Sequence, residues 1–283
     1  MANLQEGHQN STVYLEYLSA AVEIARKAGE EIRTTFQLKK SIEIKSSPVD
    51  LVTETDQKVE KLIISFLQSK FPDHSFIGEE STAAGCHCEL TDNPTWIIDP
   101  VDGTTNFVHC FPFVAVSIGL AINKENVVGV IYNPILDEMF TAVKGGGAFC
   151  NDKTIRCSKQ EDICQCLAIA EVGSSRDKAQ VKTKLGNIAA VIDRGAHGLR
   201  SLGSAALNMC QVARGGGDVY FEHGIHCWDM AAGAVILKEA GGTVIDPRGG
   251  PLDLMRRCVI AASSQQLAES ISSCLTHIEL PRD

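Results

Sequence analysis

The stretch Trp96-Ile97-Ile98-Asp99-Pro100-Val101-Asp102-Gly103-Thr104-Thr105-Asn106-Phe107 constrains this chain more than any other. Its apolar start, Trp96 to Ile98, reads as a buried strand. Pro100 has no N–H to give a ladder, so the strand is expected to stop at Asp99. Gly103 permits a tight turn, and Thr104 or Thr105 then opens a helix. The fold must therefore bring two carboxylates and a row of helix-start N–H groups to one spot. Carboxylate oxygens bind a hard divalent cation, and helix-start N–H groups bind an anion. Two acids at the end of an apolar strand repel each other unless a cation lies between them. A site for both charges suits the chemistry of phosphate esters.

A chain of 283 residues can build one large domain or two packed subdomains. The net charge of −9 disfavours nucleic acid and anionic membrane surfaces as partners. The longest uncharged apolar run, residues 111–122, is shorter than the roughly 20 residues a bilayer requires. The first dozen residues show no signal-peptide pattern. Eleven cysteines is an odd number, and the spacings of Cys86/Cys88 and Cys164/Cys166 match no zinc knuckle. They read as reduced cytosolic thiols.

Leu15, Leu18, Val22, Ala25, Gly29, Ile32 and Phe36 recur at spacings of three and four, an amphipathic helix. Residues 41–50 break that pattern and read as an exposed loop. Thr53, with Asp56 three residues on, has the spacing of a capping box. Residues 113–122, 127–132 and 139–143 read as strands joined by short turns, hence an antiparallel sheet. Gly145-Gly146-Gly147 and Asn151-Asp152 close a further hairpin, and Gly215-Gly216-Gly217 is a second structural turn. Neither glycine run has the Lys-Ser/Thr ending of a nucleotide-binding loop. Past residue 155, strands alternate with helices: a strand over 167–172, then a helix whose apolar stripe is Val181, Leu185, Ile188 and Ile192. A helix over 204–213, a strand over 219–221 and a helix over 228–239 follow. Gly241-Gly242 caps that last helix, and 259–262 is a buried strand before a helical tail. This half suggests a mixed or mostly parallel sheet flanked by helices.

Further acids sit at turns. Glu79 follows the apolar pair Phe76-Ile77, and Asp229 stands at a helix start beside Trp228. Taken alone, Asp229 reads as a cap that complements the helix dipole, and Glu79 as a loop acid. His226 and Cys227 read as packing residues, because a hard divalent cation avoids imidazole and thiolate.

Several stretches together carry a family resemblance. Residues 96–107 resemble the metal-binding signature of the inositol monophosphatase family. Gly224-Ile225-His226-Cys227-Trp228-Asp229-Met230-Ala231-Ala232-Gly233, running on to Glu239-Ala240-Gly241-Gly242, resembles its C-terminal signature. Phe76-Ile77-Gly78-Glu79-Glu80, the stretch from Lys45 to Thr53, and Thr91-Asp92-Asn93-Pro94-Thr95-Trp96 are similar to its animal members. The likeness runs from about Leu15 to the last residues.

The resemblance implies an α/β fold, an αβαβα sandwich with an antiparallel sheet in the N-terminal half and a mixed sheet in the C-terminal half. It implies a metal-binding subdomain over 1–155 and a substrate-binding subdomain over 156–283, packed as one phosphatase domain. It also implies two to three Mg²⁺ ions. Glu79, Asp99 and the Val101 carbonyl would hold the first, and Asp99, Asp102 and Asp229 the second. A weaker third would lie near Glu79. Thr104, paired with Asp56, would relay a proton, and Glu79 would orient the attacking water. The phosphate would rest on Gly103 and Thr104. The inositol ring would meet Ser174, Gly203, Ser204, Ala205 and Glu222, with Glu79, Asp102 and Asp229 also near the substrate, and Lys45 would sit on a mobile loop. The activity implied is Mg²⁺-dependent hydrolysis of myo-inositol monophosphates, with sugar phosphates such as galactose 1-phosphate as secondary substrates. A cytoplasmic, lithium-inhibited homodimer without nucleic-acid or membrane partners completes the expectation. Two competing readings are a phosphatase of sugar or phosphoadenosine phosphates, and a non-catalytic metal-binding scaffold on the same fold.

Overall fold

The computed structural model describes residues 2–38, 40, 42–44 and 51–283. The first helix is α1 (Ala2–Thr35). Its buried stripe includes Ala21, Ile24, Ala25, Ala28 and Ile32, whereas Leu15 is exposed. Lys45 and most of the loop expected over 41–50 lie outside the described residues. The part that is described forms β1 (Ile42–Ile44), paired antiparallel with β2 (Leu51–Thr53). The capping box opens α2 (Glu54–Lys70): Thr53 Oγ1 accepts the Thr55 N–H, and Asp56 accepts the Thr53 N–H at 3.0 Å.

Next come β3 (Ser75–Gly78), α3 (Glu79–Ala83), β4 (Thr95–Asp102), α4 (Thr104–Val108), β5 (Ala115–Ile122), β6 (Glu125–Asn133), β7 (Glu138–Val143), β8 (Gly147–Cys150) and β9 (Lys153–Thr154). These strands form one seven-stranded sheet in chain order. The sheet is mixed, which corrects the antiparallel expectation: β3 pairs parallel to β4. The chain between them crosses through α3 and a further loop, the long connection that a parallel pair needs. The sequence displayed only the hairpin turns.

β4 corrects a second expectation. It does not end at Asp99. It continues to Asp102 across a register shift, with Asp99 facing Ser117 and Asp102 facing Ala115 on β5. Three steps on β4 thus span two on its partner, which is a β-bulge, and Pro100 sits in it where no ladder N–H is required. Residues three apart on a regular strand point to opposite faces. The extra residue removes that alternation and lets both carboxylates aim at one place.

The second half adds β10 (Leu167–Ala170), α5 (Lys178–Asp193), β11 (Gly198–Arg200), α6 (Ala205–Ala213), β12 (Val219–His223), α7 (Cys227–Glu239), β13 (Thr243–Ile245), β14 (Cys258–Ala262) and α8 (Gln265–Ser272). The sheet order is β11-β10-β12-β14-β13, with parallel pairs around β10 and antiparallel pairs around β14. It is mixed, as expected. The sequence did not display β11 and β13, which at three residues each are too short to show a period.

Three clusters of buried side chains define five layers. Residues of α1 and α2 pack with Trp96, Ile98 and Val116 on one face of the large sheet. α6 and α7 fill the space between its other face and the small sheet. Val191 of α5 and Leu267 and Ile271 of α8 cover the far face of the small sheet. The result is an αβαβα sandwich. α7 is apolar nearly all round because sheets or helices meet it on every side. Glycines on the large sheet let it approach: a Cβ on Gly129 would stand 2.4 Å from Ala232 O, and one on Gly119 2.8 Å from Ala231 Cβ. α5 departs from its expected face. Leu185 and Ile192 are exposed, and Lys184, Asn187 and Val191 are buried instead. The buried amide is satisfied, since Asn187 exchanges hydrogen bonds with the Thr276 backbone at 2.9 and 2.7 Å. Among the described residues no helix is long and apolar enough to cross a membrane. All eleven cysteines are free thiols.

Candidate active site

The β4 bulge, the start of α7 and the start of α3 converge on one cleft of about 900 Å³. Asp99 and Asp102 are 2% and 6% exposed. One carboxylate oxygen from each of Asp99, Asp102 and Asp229 lies within 4.8 Å of the others. Glu79, the first residue of α3, lines the same cleft. Glu60 of α2 fixes that helix start by accepting the Glu80 and Ser81 N–H groups at 2.7 and 2.8 Å.

Crowding is written into the acidities. Burial pushes Asp99 well above the ordinary carboxylate range, and the charges of Glu79, Asp102 and Asp229 push it further. Burial likewise raises Asp102, to about 6, against the Ser204 hydroxyl and the Ala206 and Ala205 N–H groups that stabilise its charge. Asp229 is raised by burial and by Asp102, opposed by the His226 N–H. A bound divalent cation reverses all three shifts, because it favours the ionised form. The donor set is all oxygen, with Asp99 and Asp102 buried and Asp229 half-buried, which fits Mg²⁺ rather than a softer metal.

The neighbouring groups hold these acids in place. Val101 donates its N–H to Asp99 Oδ1 at 3.0 Å. Its carbonyl lies 3.1 Å from Thr104 Oγ1, and that hydroxyl also lies 3.2 Å from Asp56 Oδ1. Thr104 and Asp56 are therefore brought together, with Asp56 fully buried. Gly103 turns the chain into α4 at φ +89°; a Cβ there would stand 3.0 Å from both Gly203 O and Phe113 O. Asp229 Oδ2 accepts the His226 N–H at 2.6 Å. The His226 ring stacks on Trp228 with centroids 4.5 Å apart, and its Nδ1 lies 2.6 Å from Asp283 Oδ1. Asp283 Oδ2 accepts the Cys227 N–H at 2.9 Å, so this acid caps α7. His226 and Cys227 serve packing and anchoring.

The cleft is also lined by Ser174, Gly203, Ser204, Ala205 and Glu222. The N–H groups of this turn are engaged within the protein. Ala205 donates to Asp102 Oδ1 at 3.2 Å and Ala206 to Oδ2 at 2.8 Å, and the Ser204 hydroxyl also bonds Oδ2. Leu202 and Gly203 donate to Glu171 Oε1 at 2.7 and 2.8 Å. Sequence reasoning missed Glu171, although it follows the apolar run 167–170 just as Asp99 follows the run 96–98. It also missed Arg176 and Arg257, which bring positive charge to the cleft rim. Glu222 is buried, and Tyr220 donates its hydroxyl to Oε2 at 2.5 Å. Burial and the charge of Glu171 push Glu222 up to about 8, against Tyr220 and Lys184. Both glycine runs lie outside the cleft. Gly145 and Gly147 donate to Glu239 at 2.8 and 2.9 Å, which occupies the N–H groups a phosphate would use.

Fold and cleft define a metal-dependent phosphatase. The model of the Inositol monophosphatase family matches residues 14–279, and the chain belongs to that family. It is 54% identical to human inositol monophosphatase 1 over 268 residues, 95% of this chain and 97% of the relative. It is 48% identical to human inositol monophosphatase 2, covering 95% and 93%. Among solved structures, the extragenic suppressor protein suhB of Bartonella henselae superposes with a TM-score of 0.82 at 34% identity, covering 92% of this chain and 98% of the other. An inositol monophosphatase of Thermotoga maritima gives 0.81 at 30% identity, covering 92% and 96%.

Proposed function

We propose that this protein hydrolyses myo-inositol monophosphates to myo-inositol and phosphate with Mg²⁺. The observation that carries this is the convergence of Asp99, Asp102 and Asp229 within 4.8 Å in an oxygen-only site whose first two acids are buried. Glu79, Asp99 and the Val101 carbonyl would hold one ion, and Asp99, Asp102 and Asp229 a second, with a weaker third near Glu79. Held by these residues, Mg²⁺ would supply Lewis-acid chemistry, acidifying a water and offsetting charge on the leaving oxygen. Glu79 orients the attacking water. Thr104 takes part in moving its proton, because Asp56 and the Val101 carbonyl both stand within reach of the Thr104 hydroxyl. The phosphate faces Gly103 and Thr104.

On this reading residues 1–155 supply most of the metal set, and 156–283 supply Asp229 and the ring contacts. Glu222 and Ser174 receive the inositol hydroxyls. Gly203, Ser204 and Ala205 shape the wall, since their donors already serve Glu171 and Asp102. Galactose 1-phosphate is a weaker substrate on the same wall. Lithium inhibits by competing for a magnesium position. The active form is a cytoplasmic homodimer, which sedimentation and cell fractionation test.

Phosphate release from myo-inositol 1-phosphate decides the assignment. Turnover that requires Mg²⁺ and disappears in Asp102→Asn is expected. Normal turnover in that variant at saturating Mg²⁺ would refute the ligand set, and no turnover in the unaltered protein would favour a scaffold.

A further inference from the structure

Glu171 follows β10 directly and lines the cleft, yet its oxygens are engaged by the protein itself. Oε1 accepts the Leu202 and Gly203 N–H groups at 2.7 and 2.8 Å, and the Asn208 side-chain amide at 3.0 Å. Oε2 lies 2.7 Å from Ser201 Oγ. One side chain thus gathers the turn at 201–204, which joins β11 to α6, and a buried amide of α6 itself. An oxygen that already meets three donors has no lone pair left for a cation or a substrate hydroxyl. Glu171 is therefore not a fourth acid of the metal set, although it stands in the same cleft.

The N-terminal half holds the other side of this turn. Asn106 of α4 donates its amide to Leu202 O at 2.7 Å and to Phe113 O at 2.8 Å. Gly203 takes φ +81° between the two anchors, and a Cβ there would stand 2.9 Å from the Asn106 amide. With N–H groups on Glu171 and a carbonyl on Asn106, the turn is pinned from both sides. The three residues after Gly203 then grip Asp102. The Ser204 hydroxyl and the Ala206 N–H reach its Oδ2, and the Ala205 N–H reaches Oδ1. A carboxylate that receives three fixed donors can offer a cation only the lone pairs they leave. Where those point depends on where α6 begins, and Glu171 fixes that start.

Resting on the assignment of Asp102 as a magnesium ligand, we propose that Glu171 is a positioning residue of the metal site. It acts as a hydrogen-bond acceptor that seats the 201–204 turn, so that Ser204, Ala205 and Ala206 aim Asp102. What the role requires is the reach of its oxygens, not a further acid in the cleft.

The test is calorimetric titration of Mg²⁺ into substrate-free Glu171→Gln and Glu171→Asp, with melting curves to confirm folding. Gln keeps the reach and an acceptor oxygen for Leu202, Gly203 and Asn208. Its N–H group can donate to Ser201 Oγ, whose own proton then serves Ala170 O, 2.8 Å away. Asp keeps a carboxylate but draws it back from the turn by one carbon–carbon bond. Glu171→Asp is expected to weaken Mg²⁺ binding about tenfold, and Glu171→Gln to leave it within about twofold. The Mg²⁺ concentration for half-maximal phosphate release from myo-inositol 1-phosphate is expected to shift by the same factors. Binding as weak in Gln as in Asp overturns the proposal. So does unchanged binding in Asp, even where its melting temperature falls, because that marks a purely structural role. Unchanged Mg²⁺ affinity in Asp102→Asn overturns the ligand assignment beneath the proposal, and the proposal with it.

Discussion

The two walls of the cleft bury charge in opposite ways. At the β4–α7 wall, Asp99, Asp102 and Asp229 share a space under 5 Å across with Glu79 adding to the repulsion. The protein offers them N–H and hydroxyl donors. At the β10–β12 wall, the buried acid Glu222 accepts the Tyr220 hydroxyl, and the positive charge of Lys184 opposes the effect of its burial. A wall that brings its own counter-charge can recognise neutral hydroxyls. A wall that concentrates like charge is incomplete until a cation arrives from solution.

Removing an acid should therefore have opposite consequences for activity and stability at the first wall. Asp99→Asn is expected to lower kcat/KM by roughly three orders of magnitude. It is also expected to raise the melting temperature of the metal-free protein, because it removes a repelled charge. A lower metal-free melting temperature would break the contrast between the walls.

The pH dependence of stability carries the next largest effect. Asp102 is raised to about 6 in the fold, so the folded state holds its proton more tightly than the unfolded chain. Its contribution is present below about pH 4 and lost as pH rises through 6, a loss of roughly 3 kcal/mol. Saturating Mg²⁺ should abolish that slope. His223 has the opposite sign. Burial lowers it to about 4, so the unfolded chain takes up the proton first. Its contribution is full above about pH 6.5 and lost as pH falls toward 4. Calorimetry of metal-free His223→Met, which removes the opposing slope, should show the carboxylate term more steeply than the unaltered protein.

On the second wall, Tyr220→Phe deprives the buried Glu222 of its hydroxyl donor. A stability loss of about 1–3 kcal/mol in chemical denaturation is expected, the reverse of Asp99→Asn. Asp283→Asn is the mildest change. It weakens the cap on α7 and the hold on His226, and is expected to reduce Mg²⁺ affinity by about tenfold in calorimetric titration while leaving the fold intact.

The layers and most strands were legible in the sequence because hydrophobic runs and turn residues report burial directly. The pair Asp99 and Asp102 was legible as a pair. The bulge that makes the two converge was not, since strand alternation alone sends residues three apart to opposite faces. Glu79 and Asp229 needed the family resemblance, because an acid at a helix start reads first as a dipole partner. Lys184 and Asn187 were illegible for a different reason. The leucine and isoleucine stripe of α5 is the stronger local pattern, and tertiary hydrogen bonds with Val172 and Thr276 override it. Glu171 shows its signal only once the strand before it is known to end at the cleft.

The account stands on a cation shared by carboxylates from β4 and α7. Anomalous diffraction from a manganese-soaked crystal tests this most directly. Density for manganese bounded by Asp99, Asp102 and Asp229 is predicted; a map without a peak there, at manganese concentrations that support turnover, would contradict it.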